Sequence, residues 1–205
     1  HWNRSLRDRD QVYEQRIYTR RMELLGNYQL PFNEKIFLTF SFTDHDQNSV
    51  YGQTQFLARQ KIGFLQANWN KTIGKHDLLL GTSMRYNNYN DNTPATTTTD
   101  EKTIPSIFVQ DEIKLHPNHQ ILLGARLDNH QNHGNIFTPR FAYKWKISEF
   151  DILRLNSGTG FRVVNLFTED HAALTGSRDV IILEDLKPEK SINANLNYLK
   201  KMVFD

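Results

Sequence analysis

The chain has 205 residues, 25 Lys and Arg against 23 Asp and Glu, and no cysteine. A net charge of +2 without a basic cluster gives no footing for a nucleic-acid partner, and the absence of thiols removes disulfide and thiolate–metal chemistry. Mean hydropathy is −0.63, and no apolar run approaches the ~18 residues that a membrane helix needs.

In chain order, segments whose polarity switches at every residue are predicted as strands, because a strand sends successive side chains to opposite faces. They cover Gln15–Leu30, Lys35–Asp44, Gln55–Asn70, Lys75–Asn88, Ile104–Leu115, Gln120–Asn129, Phe137–Ile147, Asp151–Thr159 and Lys190–Lys200. The breaks after the first, third, fifth and seventh strands are tight: Pro31–Glu34, Lys71–Gly74, His116–His119 and Ser148–Phe150. The intervening breaks are longer and polar: Asp44–Thr54, Asn88–Thr103, His130–Ile136 and Gly160–Glu189. Short turns at one end and long loops at the other are the asymmetry of outer-membrane β-barrels, whose short turns are periplasmic and whose long loops are extracellular. A soluble β-sandwich has no reason to gather its long loops at one end.

Most strands divide into two faces. Phe137, Pro139, Phe141, Tyr143, Trp145 and Ile147 oppose Thr138, Arg140, Ala142, Lys144 and Lys146. Ile36, Leu38, Phe40 and Phe42 oppose Thr39, Ser41 and Thr43; Leu78, Leu80, Thr82, Met84 and Tyr86 oppose Leu79, Gly81, Ser83 and Arg85. Ile121, Leu123, Ala125 and Leu127 oppose Gly124, Arg126 and Asp128, and Ile192, Ala194, Leu196 and Tyr198 oppose Asn193, Asn195 and Asn197. Thirteen Phe, eight Tyr and three Trp suit the aromatic girdles at the two membrane interfaces. Asp111 falls on an apolar side, which predicts a bulge or a position outside the hydrocarbon layer. The phase of the strand through Ile62 and Phe64 stays open.

The fold expected is therefore all-β, an antiparallel transmembrane barrel with about nine strands present. Nine is odd, whereas bacterial single-chain barrels use even numbers. The chain opens in mid-run at His1-Trp2-Asn3 without a signal peptide. Residues 1–205 thus read as an internal portion of a larger barrel. At roughly 23 residues per strand and loop, a 22-stranded transporter barrel would need on the order of 500.

Three stretches carry a resemblance. Gly158-Thr159-Gly160-Phe161-Arg162-Val163-Val164-Asn165-Leu166-Phe167 resembles the GxGFRxPxLxEL stretch of TonB-dependent outer-membrane receptors. Leu186-Lys187-Pro188-Glu189-Lys190-Ser191 is similar to their LxPExS strand opening, and Arg126-Leu127-Asp128-Asn129-His130 with Phe137-Thr138-Pro139-Arg140 to their GxRxDxH…FSPR hairpin. Residues 167–178 resemble the Bacteroidetes-type receptors for iron chelates or cobalamin. Val164 replaces the usual Pro, and Asn195 a usual Glu. The resemblance implies active import of a scarce small-molecule ligand through an outer-membrane barrel. It also implies a plug domain that closes the lumen and a TonB complex that engages the receptor through an N-terminal part, neither of them within this chain. No cofactor is implied. A passive porin and a soluble all-β binding module are the alternatives.

Candidate ligand-gripping residues are Arg162, Glu169, His171 and Arg178 in the longest loop, with His130 and His133 beside it. Arg126, Arg140 and Arg154 read as lumen-facing structural residues whose guanidinium groups need carboxylates of the wall or the plug. His130-x-x-His133 has a metal-like spacing but more often describes a solvated loop. Asp44, Asp46, Asn48 and Asp91 could form an oxygen site for calcium, so whether any metal binds is left open. No catalytic motif is present; Ser83, Asp128 and His130 permit a rim hydrolase only superficially.

Overall fold

The structure, a computed structural model, describes residues 15–52, 54–93, 96, 98–163 and 187–202. Nine strands follow one another: β1 (Gln15–Gln29), β2 (Lys35–Tyr51), β3 (Thr54–Ile73), β4 (His76–Asp91), β5 (Asp100–His116), β6 (His119–His130), β7 (Gly134–Lys146), β8 (Asp151–Arg162) and β9 (Glu189–Lys200). They form one antiparallel sheet in strictly sequential order. β1 and β9 do not pair with each other, so the sheet is a segment of barrel wall rather than a closed barrel.

The two faces are as unlike as the alternation predicts. Leu65, Met84, Ile107, Leu123 and Phe137 stand exposed on the convex face. The only buried apolar side chains among the described residues are Tyr51, Phe56 and Ile136. A water-soluble sheet buries its apolar side against another layer. Here no described residue packs against that side, which is the arrangement lipid requires. Phe40 and Phe108 lay their rings over Gly26 and Gly81 of neighbouring strands, on the convex and concave faces respectively, aromatic cover for glycine that pins register.

The convex face also marks the bilayer. Trp69, Tyr143 and Trp145 lie toward the end with the short turns, and Arg59 and Lys61 toward the other. Arg59 grips Asp44 at 2.8 and 3.1 Å, and Arg20 reaches Asp46 at 3.5 Å. Arg59 and Trp69 are ten residues apart on one strand. At ~3.3 Å per residue and a tilt of about 40°, that separation is about 25 Å along a barrel axis, the height of an apolar barrel band.

The structure revises several boundaries. The stretch Asp44–Thr54 is not a long loop: β2 continues to Tyr51 and β3 begins at Thr54. Its polar residues still alternate, so cross-strand pairs such as Asp44–Arg59 can carry the hairpin beyond the bilayer, and Gly52 turns the chain at φ 60°. For the same reason β4 and β5 reach Asp91 and Asp100, and the β6–β7 connection shortens to Gln131–His133, with Gly134 at φ 67°. The β3–β4 turn is Gly74–Lys75, just past its expected place. Gly158 and Gly160 do not end their strand, which runs on to Arg162.

Register settles the two open facings. Ile62 and Phe64 line the concave side, opposite Arg85 and Asn87 of β4. Asp111 stays on the convex side. The irregularity in β5 lies between Lys114 and His116 and so does not rotate it; instead His76 Nδ1 meets its carboxylate at 2.7 Å.

Candidate functional site

Concave side chains from β2 to β8 line one trough of about 1380 Å³, including Gln60, Arg85, Asn87, Lys102, Arg126, His130 and Arg162. Its wall mixes the Gln, Asn, Ser, Thr and basic residues of the concave strand faces with apolar Ile62, Phe64, Ile104 and Phe161, while the convex faces supply the apolar band.

At its centre is a network on three neighbouring strands. Arg126 Nε donates to both Asp128 oxygens at 2.9 and 3.0 Å. Its terminal nitrogen donates to Ser83 Oγ at 3.1 Å and Ser106 Oγ at 2.9 Å, and Ser106 Oγ donates to Asp128 at 2.5 Å. The guanidinium also lies 5.5 Å from the centre of the Phe108 ring. Ser83, Ser106 and Asp128 are all buried. A buried carboxylate is costly unless paired and fully hydrogen-bonded, and this network supplies both. Arg126 thus takes its carboxylate from the wall. Sequence reasoning identified Arg126 but not Ser83 and Ser106 as its partners, since only register brings them to it. Ser83 and Asp128 are thus both bonded to Arg126.

At the mouth, His130 is buried and stacks on His133 with ring centres 4.5 Å apart. Its Nδ1 accepts from the Asn132 backbone N–H at 3.2 Å. Burial, followed by the nearness of His133 and Lys102, holds the His130 imidazole below its ordinary pKa, with Asp100 opposing weakly. The two rings therefore stack and His130 is buried, where the sequence favoured a solvated loop; no cluster of three potential metal ligands exists among the described residues. The imagined calcium set does not converge either. Asp44, Asp46 and Asn48 lie on the convex face, where they bond Arg59, Arg20 and Gln55. Asp91 is turned inward and holds the hydroxyls of Thr93 and Thr96.

Arg162 lines the trough and pairs across strands with Glu189, at 2.9 and 3.0 Å. Glu169, His171 and Arg178 lie outside the described residues. Arg140 and Arg154 face the concave side, as β7–β8 register requires, and neither meets a carboxylate among the described residues. At the short-turn end, Glu34 accepts from Trp69 Nε1 at 3.0 Å and from Lys71 at 2.5 Å, bonds that hold its carboxyl below the usual range.

Residues 2–199 match the family model described as TonB dependent receptor-like, beta-barrel. The chain belongs to that family, a family of receptors and transporters in the bacterial outer membrane. The subfamily resemblance of residues 167–178 falls outside the described residues. Over 132 residues the chain is 30% identical to the iron-regulated outer membrane virulence protein of Vibrio cholerae, covering 62% of this chain and 20% of that protein. In fold it is similar to the siderophore receptor PirA from Pseudomonas aeruginosa, with TM-score 0.72 and 16% identity over 92% of this chain and 37% of that one. A G324V mutant of the ferric enterobactin receptor PfeA from the same organism gives 0.67 and 14%, over 92% and 33%. The chain therefore spans about a fifth of the curated relative and about a third of these solved receptors.

Proposed function

We propose that this chain is part of the barrel wall of a TonB-dependent receptor that imports an iron chelate. The observation that carries the reading is a concave trough bearing Arg85, Lys102, Arg126 and Arg162, backed by an exposed apolar face, in a chain of this family. The iron-regulated relative and the siderophore receptors of like fold support an iron chelate over cobalamin. The β4–β5, β6–β7 and β8–β9 connections face outward from the cell in this reading, and Arg162, Glu169, His171, Arg178, His130 and His133 grip the ligand at the mouth. A plug domain of the parent protein closes the lumen, as 22-stranded transporters require, and the TonB complex opens it.

Shortening the loop between residues 168 and 178 in the full-length parent tests this, because loops tolerate deletion better than strands. Uptake of ferric chelate should fall while surface abundance holds. Normal uptake at normal abundance would move ligand capture to other loops or the plug.

A further inference from the structure

The β4–β5 connection leaves the wall at two adjacent residues that are tied down on different sides. Asn92 follows the last residue of β4, at the point where β3 runs on toward Thr54 without a β4 partner. Its backbone N–H donates to the Leu57 carbonyl at 3.1 Å. Its side-chain Oδ1 accepts from the Leu57 N–H at 2.8 Å, and its Nδ2 donates to the Gln55 carbonyl at 2.9 Å. One amide side chain thus supplies the donor and the acceptor that a continuing strand would have offered, and it fixes where the ladder stops.

Asp91, one residue earlier, is turned to the concave side and is 8% exposed, with no cation paired to it among the described residues. Its Oδ1 accepts from the Thr93 N–H at 2.7 Å and the Thr93 hydroxyl at 2.6 Å, and its Oδ2 accepts from the Thr96 hydroxyl at 2.9 Å. The Tyr89 hydroxyl bonds it too. A buried carboxylate is costly unless donors surround it, and three of these donors belong to the connection itself. Swinging the connection outward would strand the charge. The Thr96 N–H closes the turn on the Thr93 carbonyl at 3.1 Å.

The connection is thereby held inward. Thr96, Thr98 and Thr99 line the trough together with Asp100 and Lys102, whereas Asp91 and Asn92 do not line it. Asp100 and Lys102 neutralise each other at 2.6 Å, so this edge of the trough offers hydroxyl groups rather than net charge.

We propose that Asp91 and Asn92 are positioning residues for cargo capture, holding Thr96, Thr98 and Thr99 where their hydroxyls donate to the oxygen atoms of a ferric chelate. This rests on the import reading above. Donors ordered in advance bind more tightly, because the entropy of fixing the connection is lost on folding and not at binding. The pair therefore acts on affinity and leaves the rate of translocation alone.

The test uses the full-length receptor in its membrane. Uptake kinetics are measured with the ferric chelates of citrate, a tris-hydroxamate and a tris-catecholate, following whichever the native receptor takes up. Asp91→Ala and Asn92→Ala should each raise KM several-fold at normal surface abundance, with the maximal rate unchanged. In an otherwise cysteine-free parent, spin labels on Thr98→Cys and Asn118→Cys report the distance between the two ends of the wall. That distance should be narrowly distributed without further change and should broaden in both variants. An unbroadened distance in both overturns the clasp and leaves the import reading standing. Broadening with KM unmoved, or a lower maximal rate at unchanged KM, means that the connection is held but does not capture cargo, and the proposal fails. No saturable uptake of any of the three chelates overturns the import reading, and this proposal with it. If Asp91→Ala does not reach the surface, Asn92→Ala decides, since its side chain bonds only the β3 backbone.

Discussion

Arg126 and Asp128 stand two residues apart on one strand, and the Arg126 Nε donates to both carboxylate oxygens of its neighbour. The acid is 4% exposed and the base 37%, so the two halves of the pair depend on each other unequally. Removing Arg126 strands a buried carboxylate, whereas removing Asp128 leaves a guanidinium still touching water and two serine hydroxyls. Breaking a buried pair typically costs about 3–5 kcal/mol, while replacing both members by apolar residues costs much less. In the full-length receptor, Arg126→Leu should lower the urea midpoint more than Asp128→Leu does, with Arg126→Leu/Asp128→Leu recovering part of the loss. A double variant as weak as the sum of the singles would remove the case for coupling.

Facing can be tested by ranking substitutions. Phe141 points to the convex side and Lys144 to the concave side. An Arg at the lipid midplane costs about 2–4 kcal/mol. Phe141→Arg should therefore impair barrel assembly more than Lys144→Ala in a gel-shift folding assay, and the opposite order would put the register off by one.

Topology predicts labelling. The chain contains no cysteine, so one introduced at Thr98 or at Asn118 reports on its own position provided the parent is otherwise cysteine-free. An impermeant thiol reagent on intact cells should reach Thr98→Cys and spare Asn118→Cys. Equal reaction at both would contradict the orientation.

Gly81 and Phe108 couple packing to the central network. The Phe108 ring covers Gly81 so closely that a Cβ there cannot be accommodated without moving it, and the same ring lies beside Arg126. Gly81→Val should cost about 1–3 kcal/mol by overpacking. Phe108→Ala in the Gly81→Val background should recover part of it, and no recovery would show that the strain lies elsewhere.

His130 gives the mouth a pH dependence. Its imidazole pKa is lowered from 6.5, chiefly by burial, so the unfolded hairpin binds a proton more readily than the folded one. Above about pH 6.5 both states are neutral and no penalty exists. As pH falls through that value the unfolded form gains protons first, and the β6–β7 tip loses stability until the folded pKa is passed. Amide exchange at residues 129–136 should accelerate between pH 7.5 and 5.5 beyond its intrinsic rate change, and His130→Gln should flatten that response.

The sequence by itself determined that the chain is membrane barrel wall. Period-two alternation is a local property, and residues such as Phe141 beside Arg140 state their opposite facings without any knowledge of neighbours. The family was legible too, because the stretches around Arg126, Gly158 and Pro188 keep their spacing along the chain. Strand ends were less so. Polar residues such as Asp44 and Asp46 look like loop until a partner strand offers Arg59 and Arg20, since cross-strand pairing is invisible along one chain. The phase of Ile62 and Phe64 likewise needed β4 beside them. The site divides the same way: Arg126 was recognisable, but its burial with Ser83 and Ser106 depends on register between strands. Register is decided by tertiary pairing, where a one-residue slip would send every side chain to the other face.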